Sequence, residues 1–387
     1  DLVAVFGGKF TPVVMESVPV AHELGIPLMA PWSSADGITD HDRKPSYSFR
    51  LSLKDAWAAT ALLRFAREER NASRVGVILP NTAWGRSNQA ALAREAGRAG
   101  VTVVGERWYN WGDKSLIEVY QEVRKLGAQA VILVANEGEG GVLVREVAAL
   151  PDAERLPLVS HWGVTGGALG ALAGDALQKV DLTVVQTFSF IGARSPTAER
   201  VMAALKTRYG IDRPEKIRSP VGVAHAYDLT HILARAIDKA GSADRRKIRD
   251  ALEKLGPYDG LVRRYNPPFT PDRHDALSAA DAFMANVWSL SLQQADRVLA
   301  SQRQELEAER EAVHVRLQAA HDRIQQLEAA SSDTAQHIAS LEEAVQSRDG
   351  TIAELRIQIQ ETQRQRDALE SRVKQLEDAA EGREQKF

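Results

Sequence analysis

Over roughly its first 285 residues the chain alternates short β-type apolar runs with helical stretches, one unit every 25–30 residues or so. LVAVF (2–6) precedes a helical TPVVMESVPVAHELG, and IPLMAP (26–31) leads through a loop to YSFRLS (47–52). A one-faced helix then spans Asp55–Glu69. VGVILP, VTVVGERWY and AVILVA follow, with helices expected at Ser87–Gly100, Ser115–Gly127 and Val142–Leu150. LPLVS and LTVVQTF (182–188) come next, then longer helices at Pro196–Gly210 and Val221–Gly241. This alternation implies an α/β fold, a parallel sheet with helices on both faces. Gly25, Gly100, Gly127, Gly210 and Gly241 fall where a left-handed residue ends a helix.

Near residue 288 the period changes. From Leu299 one heptad register runs to the end, with Leu306, Leu327, Leu341, Leu355, Leu369 and Leu376 among its d positions. Ile324, Ile338, Val345, Ile352, Ile359 and Val373 are among the a positions. β-Branched a residues with Leu at d favour a parallel dimer, and Arg323 to Glu328 and Arg372 to Glu377 have the spacing of interchain pairs. The reading is a long coiled coil over 290–387, a rod of about 120 Å at ~1.5 Å per residue. Arg348, Thr362 and Arg366 weaken its seam.

A net charge near −3 gives no reason to expect nucleic acid as a partner. Cysteine is absent, which excludes disulfides, thiolate catalysis and cysteine-bound zinc. No apolar run approaches the ~20 residues that span a bilayer. The chain starts at Asp1 with no leader-like segment, so any leader is expected upstream.

Three apolar runs stop abruptly in loops rich in glycine and aromatic residues: PNTAWGRS (80–87), NEGEGG (136–141) and HWGVTGG (161–167). In parallel α/β sheets ligands bind beyond the carboxyl ends of the strands, so these loops imply one cleft. Trp32, Trp84 and Trp162 each follow a strand, as pocket walls do. Trp108, Tyr109 and Trp111 form a second aromatic cluster, either a pocket wall or an inter-lobe surface.

Catalytic patterns are scarce, with no HExxH, GxSxG or Walker A sequence. NEGEGG resembles a phosphate-cradling loop, but it continues to Leu143 where a dinucleotide fingerprint has glycine or alanine. Asp40, His41 and Asp42 are adjacent and converge poorly on one ion. His225 and His231, six apart on a helix, lie on different faces. No catalytic residue, metal or cofactor is expected.

Residues 1–286 resemble the type 1 periplasmic solute-binding proteins, in the branched-chain amino-acid branch that serves ABC transporters. The resemblance rests on VFGGKFTPVVMESVPVAHELGIPLMAPWSSADGIT, on SYSFRLSLKD and on RVGVILPNTAWGRS, with later elements in family order. It implies two α/β lobes that close on a small solute without catalysis. Lobe one would comprise 1–52 and 190–256, and lobe two 53–189 and 257–286. Carried over by position, the resemblance assigns ligand contacts to Thr11, Trp32, Ser33, Ser34, Trp84 and Asn136 or Glu137. Trp162 stands nearest the place of the acid that pairs with an amino acid's ammonium. A carboxylate, amide or aromatic solute is therefore as much expected as an α-amino acid. The family's domain also begins roughly 70 residues earlier, with two strand–helix units of lobe one, so an open sheet with an exposed apolar face is expected. The resemblance further implies an extracytoplasmic setting, with an ABC permease or signalling partner. The rival reading is a dimeric coiled-coil scaffold whose α/β portion binds nothing.

Overall fold

A computed structural model of the chain describes residues 2–287, 314, 316–319 and 335–384. They belong to two separate units, Asp1–Leu290 and Ser291–Phe387. The first unit is built on two sheets. Strands β1 (Val5–Phe6), β2 (Leu28–Ala30) and β3 (Ser48–Arg50) lie parallel in that order, and helix α1 (Thr11–Glu23) joins the first two. Helix α2 (Asp55–Glu69) then carries the chain to the second sheet.

There the strands and helices alternate: β4 (Arg74–Pro80), α3 (Ala83–Ala96), β5 (Thr102–Tyr109), α4 (Ile117–Lys125), β6 (Ala130–Leu133), α5 (Glu137–Ala148), β7 (Leu158–Ser160), α6 (Leu169–Ala173) and β8 (Leu182–Gln186). After β8 come α7 (Pro196–Tyr209), α8 (Pro220–Ala240), α9 (Arg245–Leu252), a hairpin of β9 (Tyr258–Asp259) and β10 (Arg264–Tyr265), and β11 (Phe283–Asn286). The second sheet has the order β11-β8-β7-β6-β4-β5, parallel except for β11 against β8. Its central strands are buried on both faces, which is why they read as unbroken apolar runs. The result is a two-lobed α/β fold with parallel sheets flanked by helices. All five glycines that end helices in the sequence reading have left-handed backbone, with φ from 58° to 82°.

Two features differ from the sequence reading. First, α3 begins at Ala83 rather than Ser87, because Thr82 caps it and its Oγ1 accepts from the Gly85 N–H at 3.4 Å. Likewise α5 begins at Glu137 rather than Val142, so NEGEGG is a helix start, not a phosphate-type loop. Its glycines serve close packing: a Cβ on Gly140 would come within 2.7 Å of Val164, and one on Gly141 within 3.0 Å of Leu172. Second, the segment from Tyr258 to Leu277, expected in lobe two, packs in lobe one. Tyr265, Phe269 and Leu277 share a core with Met29, Phe49 and Leu51 of the first sheet and Leu229, Ile232 and Leu252 of α8 and α9. The expected lobe bounds come from the family resemblance, and apolar residues in a segment do not by themselves mark which core they join. Only β11 returns to the second lobe.

A buried ion pair holds that late segment to the first sheet. Arg50 Nε donates to Asp275 Oδ1 at 2.6 Å, and the guanidinium is completely buried. Its other nitrogens donate to the carbonyls of Ser34 (2.9 Å) and Ala35 (2.6 Å) and to Thr39 Oγ1 (2.6 Å). Thr39 in turn donates to Asp275.

On the outer side of lobe one, Val13 and Val20 of α1 and Leu24 at its C-terminal cap are exposed beside Leu2, Val5 and Phe6. A groove of about 650 Å³ runs between α1 and β1. In the second unit, helix α10 (Ala335–Glu384) covers 50 residues, and Val345, Ile352, Leu355, Ile359 and Leu369 are half-buried along it. These are a and d positions of the heptad register. The register's positions from Leu299 to Val313, Ala320 to Thr334, and the Arg323 to Glu328 pair lie outside the described residues. Among the described residues no helix is long and apolar enough to cross a membrane.

Removing one partner of a buried pair leaves a stranded charge. Asp275→Ala is expected to cost about 3–5 kcal/mol in urea unfolding. The double variant Arg50→Met with Asp275→Leu should recover most of that loss. A single-variant cost near zero would mean the pair does not organise lobe one.

Candidate functional site

Loops from both lobes meet at one small cavity of about 10 Å³, room for roughly one water. The wall from lobe one begins where α1 starts. Its first residue, Thr11, is buried, and Thr11 Oγ1 accepts from the Ser34 N–H at 3.4 Å. Ser33 Oγ donates to the Gly8 carbonyl at 2.9 Å, and Ser52 Oγ donates to the Ser33 carbonyl at 2.7 Å. The same loop is held from below by Arg50 at the Ser34 carbonyl, which also accepts from the Asp55 N–H at 2.9 Å. Trp32 packs closely against α8, where a Cβ on Gly222 would come within 2.6 Å of its ring.

The wall from lobe two is mostly aromatic. Trp84 sits in the first turn of α3, on the sharp strand-to-helix turn that Gly85 permits. A Cβ on Gly85 would lie 1.9 Å from the Pro80 carbonyl oxygen. His161 is fully buried, edge-on to Trp84 at 5.0 Å and 3.8 Å from Trp162 between ring centres. His161 Nδ1 accepts from the Gly163 N–H at 3.4 Å, which leaves Nε2–H to donate to Asp55 Oδ1 at 3.2 Å. Gly163 keeps this stack tight, since a Cβ there would approach Trp84 to 2.6 Å. Asn136, the N-cap position of α5, completes this side.

The structure thus brings Thr11, Trp32, Ser33, Ser34, Trp84, Asn136 and Trp162 to one cavity. Glu137 is not on its wall; its carboxylate pairs with Lys9 at 2.6 Å. Sequence reasoning missed Lys9, Phe10 and His161, which also line the cavity, as does Trp111 of the second aromatic cluster. Phe10 of lobe one meets Trp111 of lobe two at 5.1 Å, so Trp111 is both pocket wall and inter-lobe contact. The available signals were the adjacent Lys9-Phe10 before a helix start and the histidine in HWGVTGG.

The charge balance is simple. Lys9 is a cation on the wall, and no residue lining the cavity is acidic among the described residues. Asp55 stands behind His161, and its Oδ2 is buried without a hydrogen-bond partner. Helices α1, α3 and α5 all begin at the cavity, and their positive ends favour a negative charge there. Asp40, His41 and Asp42 lie elsewhere: Asp40 pairs with Lys54 at 2.5 Å, and His41 packs edge-on to His22. Among the described residues no acidic and histidine cluster could hold a metal ion.

A buried histidine ties this loop to the crossing after β8. His225 Nδ1–H donates to the Pro31 carbonyl at 2.9 Å, and Thr187 Oγ1 donates to Nε2 at 2.8 Å.

A two-lobed α/β unit with strand-end loops meeting at an inter-lobe cavity defines a solute-binding architecture. Residues 1–288 match the family model described as periplasmic binding protein, and the chain belongs to that family. It is 24% identical over 228 residues to a leucine-, isoleucine-, valine-, threonine- and alanine-binding protein of Pseudomonas aeruginosa, covering 59% of this chain and 57% of that protein. The chain therefore spans little more than half the length of that relative. A type 1 periplasmic binding protein from Bordetella pertussis shares the fold with a TM-score of 0.66 at 21% identity, covering 74% of this chain and 78% of the other. A Rhodopseudomonas palustris ABC-transporter solute-binding protein solved with benzoate does so with a TM-score of 0.60 at 18% identity, covering 74% of each chain.

Burial pushes the His225 ring down to about 4 from its ordinary 6.5. The unfolded chain therefore binds this proton more readily, and the stability it contributes is complete above pH 6.5 and is lost as pH falls towards 4. The shift corresponds to about 3 kcal/mol. In urea unfolding from pH 7.5 to 4, the native protein should lose about that much more stability than His225→Gln. Equal losses would show that this histidine does not titrate with unfolding.

Proposed function

We propose that the chain is a receptor that binds a small carboxylate-bearing solute with an apolar body between its two lobes. The single observation that carries this reading is the composition of the cavity wall: hydroxyls and one ammonium, four indoles, and no acid among the described residues. Hydroxyls, the Lys9 ammonium and helix starts suit a carboxylate. The rings suit an aliphatic or aromatic body. An α-amino acid would need a counter-charge for its ammonium, and Trp162 stands where one was expected. The relative from Pseudomonas aeruginosa binds leucine, isoleucine, valine, threonine and alanine by name, and the Rhodopseudomonas palustris protein was solved with benzoate. The wall described here is closer in chemistry to the second kind of solute.

The receptor works by binding alone. A solute touching both lobes stabilises the closed form by its differential affinity for it. Its setting is extracytoplasmic, and its partner is an ABC-type permease or a signalling module. The heptad stripe on α10 seats a second helix in a parallel homodimer. Sedimentation equilibrium of the full chain should give a dimer mass; a monomer at micromolar concentration would remove this part of the reading.

The binding reading is tested by thermal shift with benzoate, phenylacetate, 3-methylbutanoate, their amides, and leucine. A bound carboxylate at about a hundred times its dissociation constant should raise the melting temperature by about 4–5 °C. Trp84→Ala combined with Ser34→Ala should abolish the shift. A folded protein that answers to none of these solutes would favour the scaffold reading instead.

A further inference from the structure

Lys9 and Glu137 come from opposite lobes, 128 positions apart, and meet at 2.6 Å beside the cavity. Both side chains are about three-quarters buried. The turn in HWGVTGG is shaped around them. The Gly166 carbonyl accepts from Lys9 Nζ at 3.3 Å, and it also accepts from Ser219 Oγ of lobe one. A Cβ on Gly166 would press to 3.0 Å from Lys9 Nζ, and one on Gly167 to 2.5 Å from Glu137 Oε1. The two glycines that end this loop thus make room for one ion pair. The neighbouring cross-lobe pair, Asp36 with Arg94 at 2.8 Å, has an arginine more than half exposed and no such seat.

We propose that the Lys9–Glu137 pair is a latch holding the two lobes together, and that Lys9 passes from Glu137 to the solute's carboxylate on binding. The proposal rests on the receptor reading above and adds to it the residue that sets solute charge. With room for roughly one water, the shut cavity admits no solute, so entry requires the lobes to part and the pair to break. An entering carboxylate gives Lys9 a new partner among the rings. A cationic solute meets the same ammonium with no counter-charge on the wall. Glu137, once released, remains in the first turn of α5, where the helix's positive end favours its charge. Exchange of partners therefore strands neither group, and it is available only to an anion.

The test compares the full-length native protein with Lys9→Ala, Lys9→Arg and Glu137→Gln by isothermal titration, using benzoate, phenylacetate and 3-methylbutanoate, each beside its neutral amide, and leucine. Removing the latch favours entry of any solute, so Glu137→Gln should bind both acid and amide several-fold more tightly. Lys9→Ala should lose roughly tenfold or more for the acid while gaining for the amide, and Lys9→Arg should keep the preference for the acid. Without solute, Glu137→Gln and Lys9→Ala should both shift tryptophan emission to the red as the parted lobes hydrate the indoles. Weaker acid binding by Glu137→Gln, or a Lys9→Ala that still prefers acid to amide, would overturn the latch. Leucine binding that ignores all three variants would overturn the latch and leave the receptor reading standing. No binding of any carboxylate or leucine by any form would overturn both.

Discussion

The buried guanidinium of Arg50 is the point on which lobe one and the site both depend. It sits at the end of β3 with no exposure, and must satisfy its donors inside the protein. It does so with Asp275, Thr39 and the carbonyls of Ser34 and Ala35. These partners come from two separated stretches of chain, residues 34–39 and Asp275. One charge therefore brings the returning segment beside β3 and sets the height of the loop that carries Trp32, Ser33 and Ser34. Replacing the cluster with apolar residues could fill the volume, but it would not orient two carbonyls and so would not shape the loop.

The second lobe reaches the same cavity by different means. Its loops are positioned by close packing rather than by buried charge. Gly85 allows the strand β4 to turn at once into α3, so Trp84 is delivered to the cavity edge. Gly163 lets the β7 loop press against that ring, with His161 between Trp84 and Trp162. The histidine is anchored to Asp55 at the start of α2, where the chain first crosses between lobes. Aromatic contact on one side and hydroxyls on the other give the cleft two chemically distinct walls. Lys9 and Glu137 span the gap between them.

Much of this was legible in the residues. Strand and helix alternation produced the architecture because apolar periodicity reports which faces are buried, and the second sheet is buried on both faces. Trp32, Trp84 and Trp162 were singled out from strand ends, Thr11, Ser33, Ser34 and Asn136 by the family resemblance, and the topology carries all seven to one place. Helix starts were harder: NEGEGG read as a loop because three glycines weaken helix propensity, yet close contact with Val164 and Leu172 outweighs that preference. The stretch from Tyr258 to Leu277 was placed in lobe two by the family resemblance, and its apolar side chains pack into the core of lobe one instead.

By itself the sequence determined the fold class, the places where loops could meet a ligand, the absence of thiol chemistry, and the heptad stripe beyond residue 290. Each of these follows from local pattern or composition. Only the tertiary structure decided which charges face each other. Lys9 and Glu137 are 128 residues apart and Arg50 and Asp275 are 225 apart, and nothing local distinguishes them from solvated surface charges. Their pairing depends on how two lobes fold and close, which sets the sign of the cavity and, with it, the kind of solute the cavity suits.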